Sequence, residues 1–389
     1  VPKQLSSESR PWLVIGGGMV GGAAAVAIAE TGRQVVVAEP NPVNSWEMTD
    51  AHDLRISAIT QDNCELLELG GVWEQLSQLR FYPFTELAVR EEGTDWVEFE
   101  AHNKGNLGIM VENKALQHAL FKVMDEHPNI ELKQAGFKCV DFTASEVSFS
   151  DGSTQDFSWL VGADGANSRV RSEAGIGVSG RRYQERCLLV NVKTSGNIPS
   201  RTWQTFKGKH IFSLLPLAED RACLIVYANP EEIRHWESDR DALETVLRNE
   251  FQWAVGEAEI LSSGSFPLQQ QHAFHYTDPA KHVVLLGDAA HSIHPLAGQG
   301  VNLGLRDVRQ LYSVLREYGE DTAISVPLKK ALRRQQVNNM LMAGGLDIIA
   351  RAFRSENPIV QTSRRLGIGI AAKNRGLKQI LSWAASGKA

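Results

Sequence analysis

Trp12–Ala29 is eighteen residues without a charge, long enough to raise the question of a membrane span. The glycines argue against one. Gly16, Gly17, Gly18, Gly21 and Gly22 divide the run into a short apolar strand, Trp12–Ile15, a turn, and a small-residue helix from Met19 to Glu30. Gln34–Ala38 reads as a second strand ending at Glu39, so the chain opens as a βαβ unit. Gly16, Gly18 and Gly21 stand at GxGxxG spacing with Met19 and Val20 inside the motif, and Glu39 follows eighteen residues after Gly21. In such a unit the first two glycines permit a tight turn and close approach of a pyrophosphate. The third lets helix and strand pack closely, and the acid accepts hydrogen bonds from ribose hydroxyls. A dinucleotide site is the expectation; a purely structural glycine turn is the alternative.

A second run, GDAAHSIHPLAGQGVNLGLRD from Gly287 to Asp307, joins a strand, a carboxylate, a rigid turn and a helix start. Val283–Leu286 reads as a buried strand. Asp288 follows it, where it can accept hydrogen bonds from a polyol such as the ribityl chain of a flavin. Pro295, Gly298 and Gly300 let bare backbone approach a flat ligand. Val301, Leu305, Val308, Leu311, Tyr312 and Leu315 recur at helical spacing, which predicts a helix from about Gln299–Val301. Its free N–H groups and positive end suit the negative N1/C2 carbonyl edge of a reduced flavin. Two further glycine patterns, Gly175/Gly177/Gly180 and Gly367/Gly369/Ala372, lack a βαβ context with a terminal acid and read as turns.

With 389 residues, 43% of them apolar, and 33 glycines, the chain is globular and large enough for two joined domains. Cys64, Cys139, Cys187 and Cys223 are widely spaced without a CxxC. Neither a metal site nor a disulfide framework is expected, and a reducing cytoplasm fits. Val1–Pro11 is polar and shows no signal peptide. The net charge of −6 hides an asymmetry: residues 351–389 carry eight Lys/Arg and one acid, whereas the remainder has 32 Lys/Arg against 45 Asp/Glu. An acidic body argues against a nucleic-acid partner.

Helical stretches are predicted at Asp62–Leu69 and Asn113–Glu126, and short strands at Lys138–Val140, Glu146–Ser150 and Phe157–Val161. Leu188–Val192, Thr202–Phe206, Ile211–Leu215 and Ala222–Tyr227 read as strands of a separate sheet. Its apolar face, Leu188, Val190, Phe212, Leu214, Leu224 and Val226, either lines a substrate cavity or packs as ordinary core. After Leu328 the pattern is helical, with breaks near Pro358 and Gly367.

GADGANSRVR places Asp164 and Gly165 after a strand, followed by Ser168 and Arg171. GxGxxG, DGxxSxxR and GDAAHxxxPxxGxGxN in this order resemble the single-component flavin aromatic hydroxylases, the p-hydroxybenzoate hydroxylase class. GGGMVGGA, the LRISAI around Arg55, MVEN at Met110–Asn113, TWQTF at Thr202–Phe206, HPLAGQGVNLG and the Ala/Gly-rich stretch at Met340–Gly345 narrow the likeness to the ubiquinone-biosynthesis hydroxylases. The likeness runs along nearly the whole chain. At Gln271 the chain departs from it, since relatives often have Arg there. The WxWxIP signature of flavin halogenases is absent.

This resemblance implies an α/β fold in which a Rossmann-type FAD-binding domain (1–80, 105–178 and 275–345) is interleaved with a β-sheet substrate domain (81–104 and 179–274). A C-terminal helical region (346–389) completes it. It implies FAD reduced by NAD(P)H, reaction with O2 to a C4a-hydroperoxyflavin, and hydroxylation of a polyprenylated quinol or phenol, most like the demethoxy quinol. Sibling reactions at other ring carbons, a flavin-linked reductase or dehydrogenase, and a non-catalytic flavoprotein scaffold or lipid carrier are the alternatives. Gly16, Gly18, Met19, Val20, Gly21 and Glu39 are then expected at the ADP half of FAD, and Arg55 near pyrophosphate or isoalloxazine. Asp164 and Asp288 are expected on pyrophosphate or ribityl groups, with Pro295, Gly298, Gln299, Gly300, Val301 and Asn302 bordering the ring. Arg55 has a structural ion pair as its alternative. His291 and His294, with Pro295 beside them, are candidates for assisting a phenolate, and a packing role is the alternative for each. The tail Arg364–Ala385 mixes basic and apolar residues, which suits a peripheral membrane contact at the inner face of the membrane or a biosynthetic protein complex. A solvated helix packed on the body is the alternative.

Overall fold

A computed structural model describes residues 10–100, 105–293, 299–319 and 323–354. Trp12–Ile15 and Val35–Ala38 are buried throughout and pair in parallel, Leu13 opposite Val36, on either side of the helix Met19–Ala29. The valine run suits a strand covered on both faces. From Gly21 to Ala29 the helix is buried completely, which its small side chains permit. A Cβ at Gly21 would stand 1.9 Å from the carbonyl oxygen of Gly16, so any side chain there pushes helix from turn. Gly16 has φ +101°, and a Cβ on it would meet the Ala163 oxygen at 2.4 Å. Leu116, Leu120 and Val123 of helix Asn113–Glu126 join the same core. Each such buried side chain contributes about 1.5–3 kcal/mol.

The nucleotide-side sheet has the order Thr277–Asp278, Val283–Leu285, Leu160–Gly162, Trp12–Ile15, Val35–Ala38, Ile130–Lys133. All pairs are parallel except the first. Register matters more than order here. Ile15, Gly162 and Leu285 lie side by side, so the turns that follow them emerge at one edge, where open α/β sheets bind ligands.

An eight-stranded sheet runs His291–Ser292, Ala258–Ala273, Val178–Thr194, Arg221–Ala228, His210–Ala218, Arg201–Lys207, Glu86–Glu91, Val97–Glu100. Two helices, Pro230–Ser238 and Arg240–Val255, close one face of it. Both were absent from the sequence reading, although each has a side-chain cap: Asn229 accepts from Glu231 N and Glu232 N, and Asp239 from Ala242 N. Ile233, Trp236, Leu243, Leu247, Phe251 and Val255 pack there against Leu188, Val190, Phe212, Leu214, Leu224 and Val226. The face that sequence alone left open between cavity and core is therefore core. Val178–Thr194 and Ala258–Ala273 form a ribbon much longer than the Leu188–Val192 strand anticipated. Gly175 turns, with φ +71°, but Gly180 sits inside a strand opposite Gln271. Gly367, Gly369 and Ala372 lie outside the described residues.

Ile56–Thr60, Gly108–Glu112 and Phe81–Phe84 make a small antiparallel sheet. The helix anticipated near Gln299–Val301 begins at Gln299 and ends at Glu317, and a second runs Ser325–Arg354. Among the described residues no helix is long and apolar enough to cross a membrane.

Candidate active site

Three turns meet at the shared strand edge, and their side chains explain the motif residues. Asp164 Oδ2 accepts from Arg169 N at 2.7 Å and Val170 N at 3.2 Å, and Ser168 Oγ from Arg171 N at 3.0 Å, so both start the helix Arg169–Glu173. Asp164 Oδ1 is buried with no partner among the described residues. Arg171 donates to Ala166 O at 3.0 Å and to Ala289 O at 2.8 Å, tying the 162–168 turn to the 287–290 turn. The Gln271 amide bridges the same two turns through Ala166 O and, at 3.4 Å, Asp288 O. The residue that departs from the family likeness is thus a strap between the loops, a role no local pattern announces.

At the other end of the first turn, Glu39 Oε2 accepts from Gly17 N at 2.8 Å and Oε1 from Asn41 N at 2.9 Å. Each oxygen keeps a further lone pair. Glu39 borders a cavity of about 170 Å³ walled by Gly17, Pro42, Val43, Phe121, Met124 and Leu132. A Cβ on Gly18 would meet nothing nearer than Gln117 Nε2 at 3.9 Å, unlike Gly16 and Gly21. Protein packing therefore does not require glycine at 18.

A larger cavity, about 320 Å³, reaches from this edge to the eight-stranded sheet. Met19, Arg55, Asp288, Gly300 and Val301 line one part of it. Arg55 is exposed, stacks its guanidinium 5.3 Å from the Phe266 ring, and is held on a segment braced from two sides. Arg80 pairs with Glu112 at 2.8 Å while binding Thr49 O and Ala51 O, and Asn191 binds His52 O and Asp53 O. Asp288 is open to the cavity yet walled by protein. That partial desolvation raises its carboxyl above the ordinary value, against the opposing charges of His291 and Arg55.

Asn302, expected beside a flavin ring, is fully buried. Its Nδ2 donates to Ala58 O at 2.7 Å and its Oδ1 accepts from Thr60 N and Asn63 Nδ2 at 2.9 Å, so the side chain joins the helix start to strand Ile56–Thr60. His291 lies behind the cavity wall, 1% exposed, with Nε2 donating to Asp307 Oδ2 at 2.6 Å. Burial opposes a charge on this ring, but Asp307 outweighs it and holds the pKa above the ordinary value. Asp307 also accepts from Gly287 N and, through Oδ1, from Asn339 Nδ2 at 3.0 Å. Asn339 in turn reaches Tyr276 OH, which lies 3.2 Å from His272 Nε2. Burial and then the neighbouring His291 push His272 down to about 4. His294, Pro295, Gly298 and the side chain of Gln299 lie outside the described residues.

The far part of the cavity is the second face of the eight-stranded sheet: Cys187, Leu189, Thr202, Gln204, Ser213, Leu215, Ile225 and Tyr227. Sequence reasoning singled out none of these as a site. Their signal was the alternation itself, since they are the neighbours of the core residues above.

The glycine turn, the carboxylate cradle and the cavity beside a second sheet define a flavin-dependent aromatic-ring monooxygenase. Residues 10–337 match the family model described as FAD binding domain, and the chain belongs to that family. It is 37% identical over 382 residues to the 3-demethoxyubiquinol 3-hydroxylase of Escherichia coli K12, covering 95% of this chain and 97% of that one. It is 30% identical to the ubiquinone hydroxylase UbiL of Rhodospirillum rubrum, covering 95% and 87%. Among solved structures, p-nitrophenol 4-monooxygenase PnpA from Pseudomonas putida superposes with a TM-score of 0.77 at 18% identity, covering 96% of this chain and 97% of that one. FAD is the cofactor. The residues present fit it: bare backbone at Gly18, the orphaned acceptor of Asp164 and the remaining lone pairs of Glu39 would suit a dinucleotide.

Proposed function

We propose that this chain hydroxylates the ring of a polyprenylated quinol or phenol in ubiquinone synthesis, with the demethoxy quinol as substrate. The observation that carries the reading is one cavity shared by the Asp288–Gly300 edge and an apolar sheet face, in a chain 37% identical to a demethoxyubiquinol hydroxylase. Bound FAD, reduced by NAD(P)H, supplies the activated oxygen from O2.

In this reading Gly16, Gly18, Met19, Val20 and Gly21 admit the pyrophosphate and Glu39 holds the adenosine ribose. Asp164 and Asp288 hold pyrophosphate and ribityl hydroxyls, and Arg55 stands at the ring end. Gly300 and Val301, with Pro295, Gly298 and Gln299, border the ring with backbone, while Asn302 positions them. His291 is a positioning residue: with Asp307 it fixes the backbone at Gly287, next to Asp288. His294 is the remaining candidate base, and His294→Gln is expected to change the pH dependence of coupled hydroxylation. Phe84, Leu87, Leu107 and Phe266 keep water from the ring. The basic tail beyond residue 360 docks at a membrane surface, so deleting 361–389 is expected to abolish sedimentation with anionic liposomes.

The deciding test uses FAD-loaded protein, NAD(P)H, 18O2 and a short-tailed demethoxy quinol. One 18O atom in the ring is expected. NAD(P)H consumption identical with and without quinol, and no labelled product, would overturn the reading in favour of a scaffold or carrier.

A further inference from the structure

We propose that Gln204 and Ser213 form a neutral subsite that grips ring oxygens of the substrate and thereby selects the ring carbon that reacts. The selection of a carbon rests on the hydroxylase reading above; the grip does not.

Gln204 on strand Arg201–Lys207 and Ser213 on strand His210–Ala218 are direct cross-strand partners, and both line the large cavity. Cross-strand partners hold their side chains within about 5 Å on one face. Three other polar groups of the cavity wall are already occupied, while Ser292 Oγ, without a partner among the described residues, lies on the edge strand four strands away from Ser213. Thr202 Oγ1 donates to Leu214 O at 2.8 Å, Ser57 Oγ donates to Asn113 Oδ1 at 2.7 Å, and the Tyr227 hydroxyl is hydrogen-bonded with Cys187. By contrast Ser213 is 2% exposed and its Oγ has no partner, and the Gln204 amide makes no hydrogen bond among the described residues. Buried polar groups are ordinarily satisfied, so the orphaned Ser213 hydroxyl, beside an amide with no hydrogen bond among the described residues, marks the place where a ligand supplies the missing partner.

The surroundings restrict what that ligand is. Leu87, Leu189, Leu215 and Ile225 line the same part of the cavity, and among the described residues the only charged lining ones are Arg55 and Asp288, which belong to the flavin-side edge. An aromatic carboxylate gripped here would lack a counter-charge. A hydroxyl and a methoxyl on neighbouring ring carbons suit the pair, since the amide offers two donors and an acceptor and the hydroxyl offers both roles. With these two oxygens fixed against the sheet, the orientation of the ring within the cavity is set.

The test compares FAD-loaded wild type, Ser213→Ala and Ser213→Ala/Gln204→Leu. Equilibrium binding without O2 or NAD(P)H is read with two probes: a butylated methoxy-methyl-hydroquinone, and the same alkylated ring without oxygens. Wild type is expected to prefer the hydroquinone by at least about tenfold, and the double variant to lose most of that preference. Affinity for the oxygen-free probe and the unfolding midpoint are expected not to fall, because the replaced groups have no protein partners. In turnover, the double variant is expected to spread product over more than one ring carbon or to release hydrogen peroxide in place of product. A preference unchanged by both substitutions in folded protein overturns the proposal. Wild type that discriminates between the probes but hydroxylates neither quinol nor phenol leaves the subsite standing and removes only the choice of carbon.

Discussion

The two faces of the eight-stranded sheet come from the same strands, residue by residue, yet they are built for different neighbours. Leu188, Val190, Phe212, Leu214, Leu224 and Val226 meet two helices and form closed apolar core. One position along, Cys187, Leu189, Ser213, Ile225 and Tyr227 meet a cavity. The first face is complete without a ligand, and the second carries a buried hydroxyl, Ser213 Oγ, with no partner among the described residues. A surface waiting for an occupant is recognised by its unfinished hydrogen bonds rather than by its hydrophobicity.

The adjacent pair Leu224 and Ile225 offers the strongest way to break this contrast. Leu224→Asn, at a fully buried position, is expected to cost about 5 kcal/mol in denaturant unfolding, from lost burial plus an amide without partners. Ile225→Asn, one residue along, is expected to cost only about 1–2 kcal/mol because its amide reaches the cavity. Equal losses would erase the distinction between the faces. Asp307→Asn tests the wall behind the cavity: it removes the charge partner of a wholly buried His291, with an expected loss of about 3 kcal/mol. The pH profile sharpens this. His272 and His52 are both lowered to about 4, mainly by burial, so the unfolded chain takes up their protons first as acid is added. Their contribution is complete above pH 6.5 and is lost as pH falls toward 4. His291 runs the other way, its raised value giving stability below 6.5 that fades as pH rises through that value. Asp307→Asn should remove this second limb. The smallest effect on folding belongs to Gly18→Ala, expected within about 0.5 kcal/mol of wild type while weakening FAD at least about tenfold in fluorescence titration. Gly21→Ala, with a Cβ 1.9 Å from a carbonyl oxygen, should instead disturb the fold itself.

What was legible in the sequence was what local chemistry decides. The glycine turn, the strand ending at Glu39, the helix from Asn113 to Glu126 and the helix start at Gln299 all answer to spacing within a few residues. The cavity face did not, because strand alternation declares that two faces exist without saying which is inside, and a shift of one residue exchanges them. TWQTF was noticed for its family likeness, yet Gln204 within it acquires meaning only when Ser213 is laid beside it. Arg171 and Gln271 were equally silent, since the carbonyls they bind lie on loops remote in the chain. The helices between Asn229 and Val255 were legible in principle: Leu243, Leu247, Phe251 and Val255 recur every fourth residue behind an aspartate cap.

His291–Ser292 is a two-residue strand on the edge of the eight-stranded sheet, only six residues after Val283–Leu285 leaves the other sheet. So short a tether, zipped at both ends, leaves the two layers no freedom to part like the covers of a book along this side.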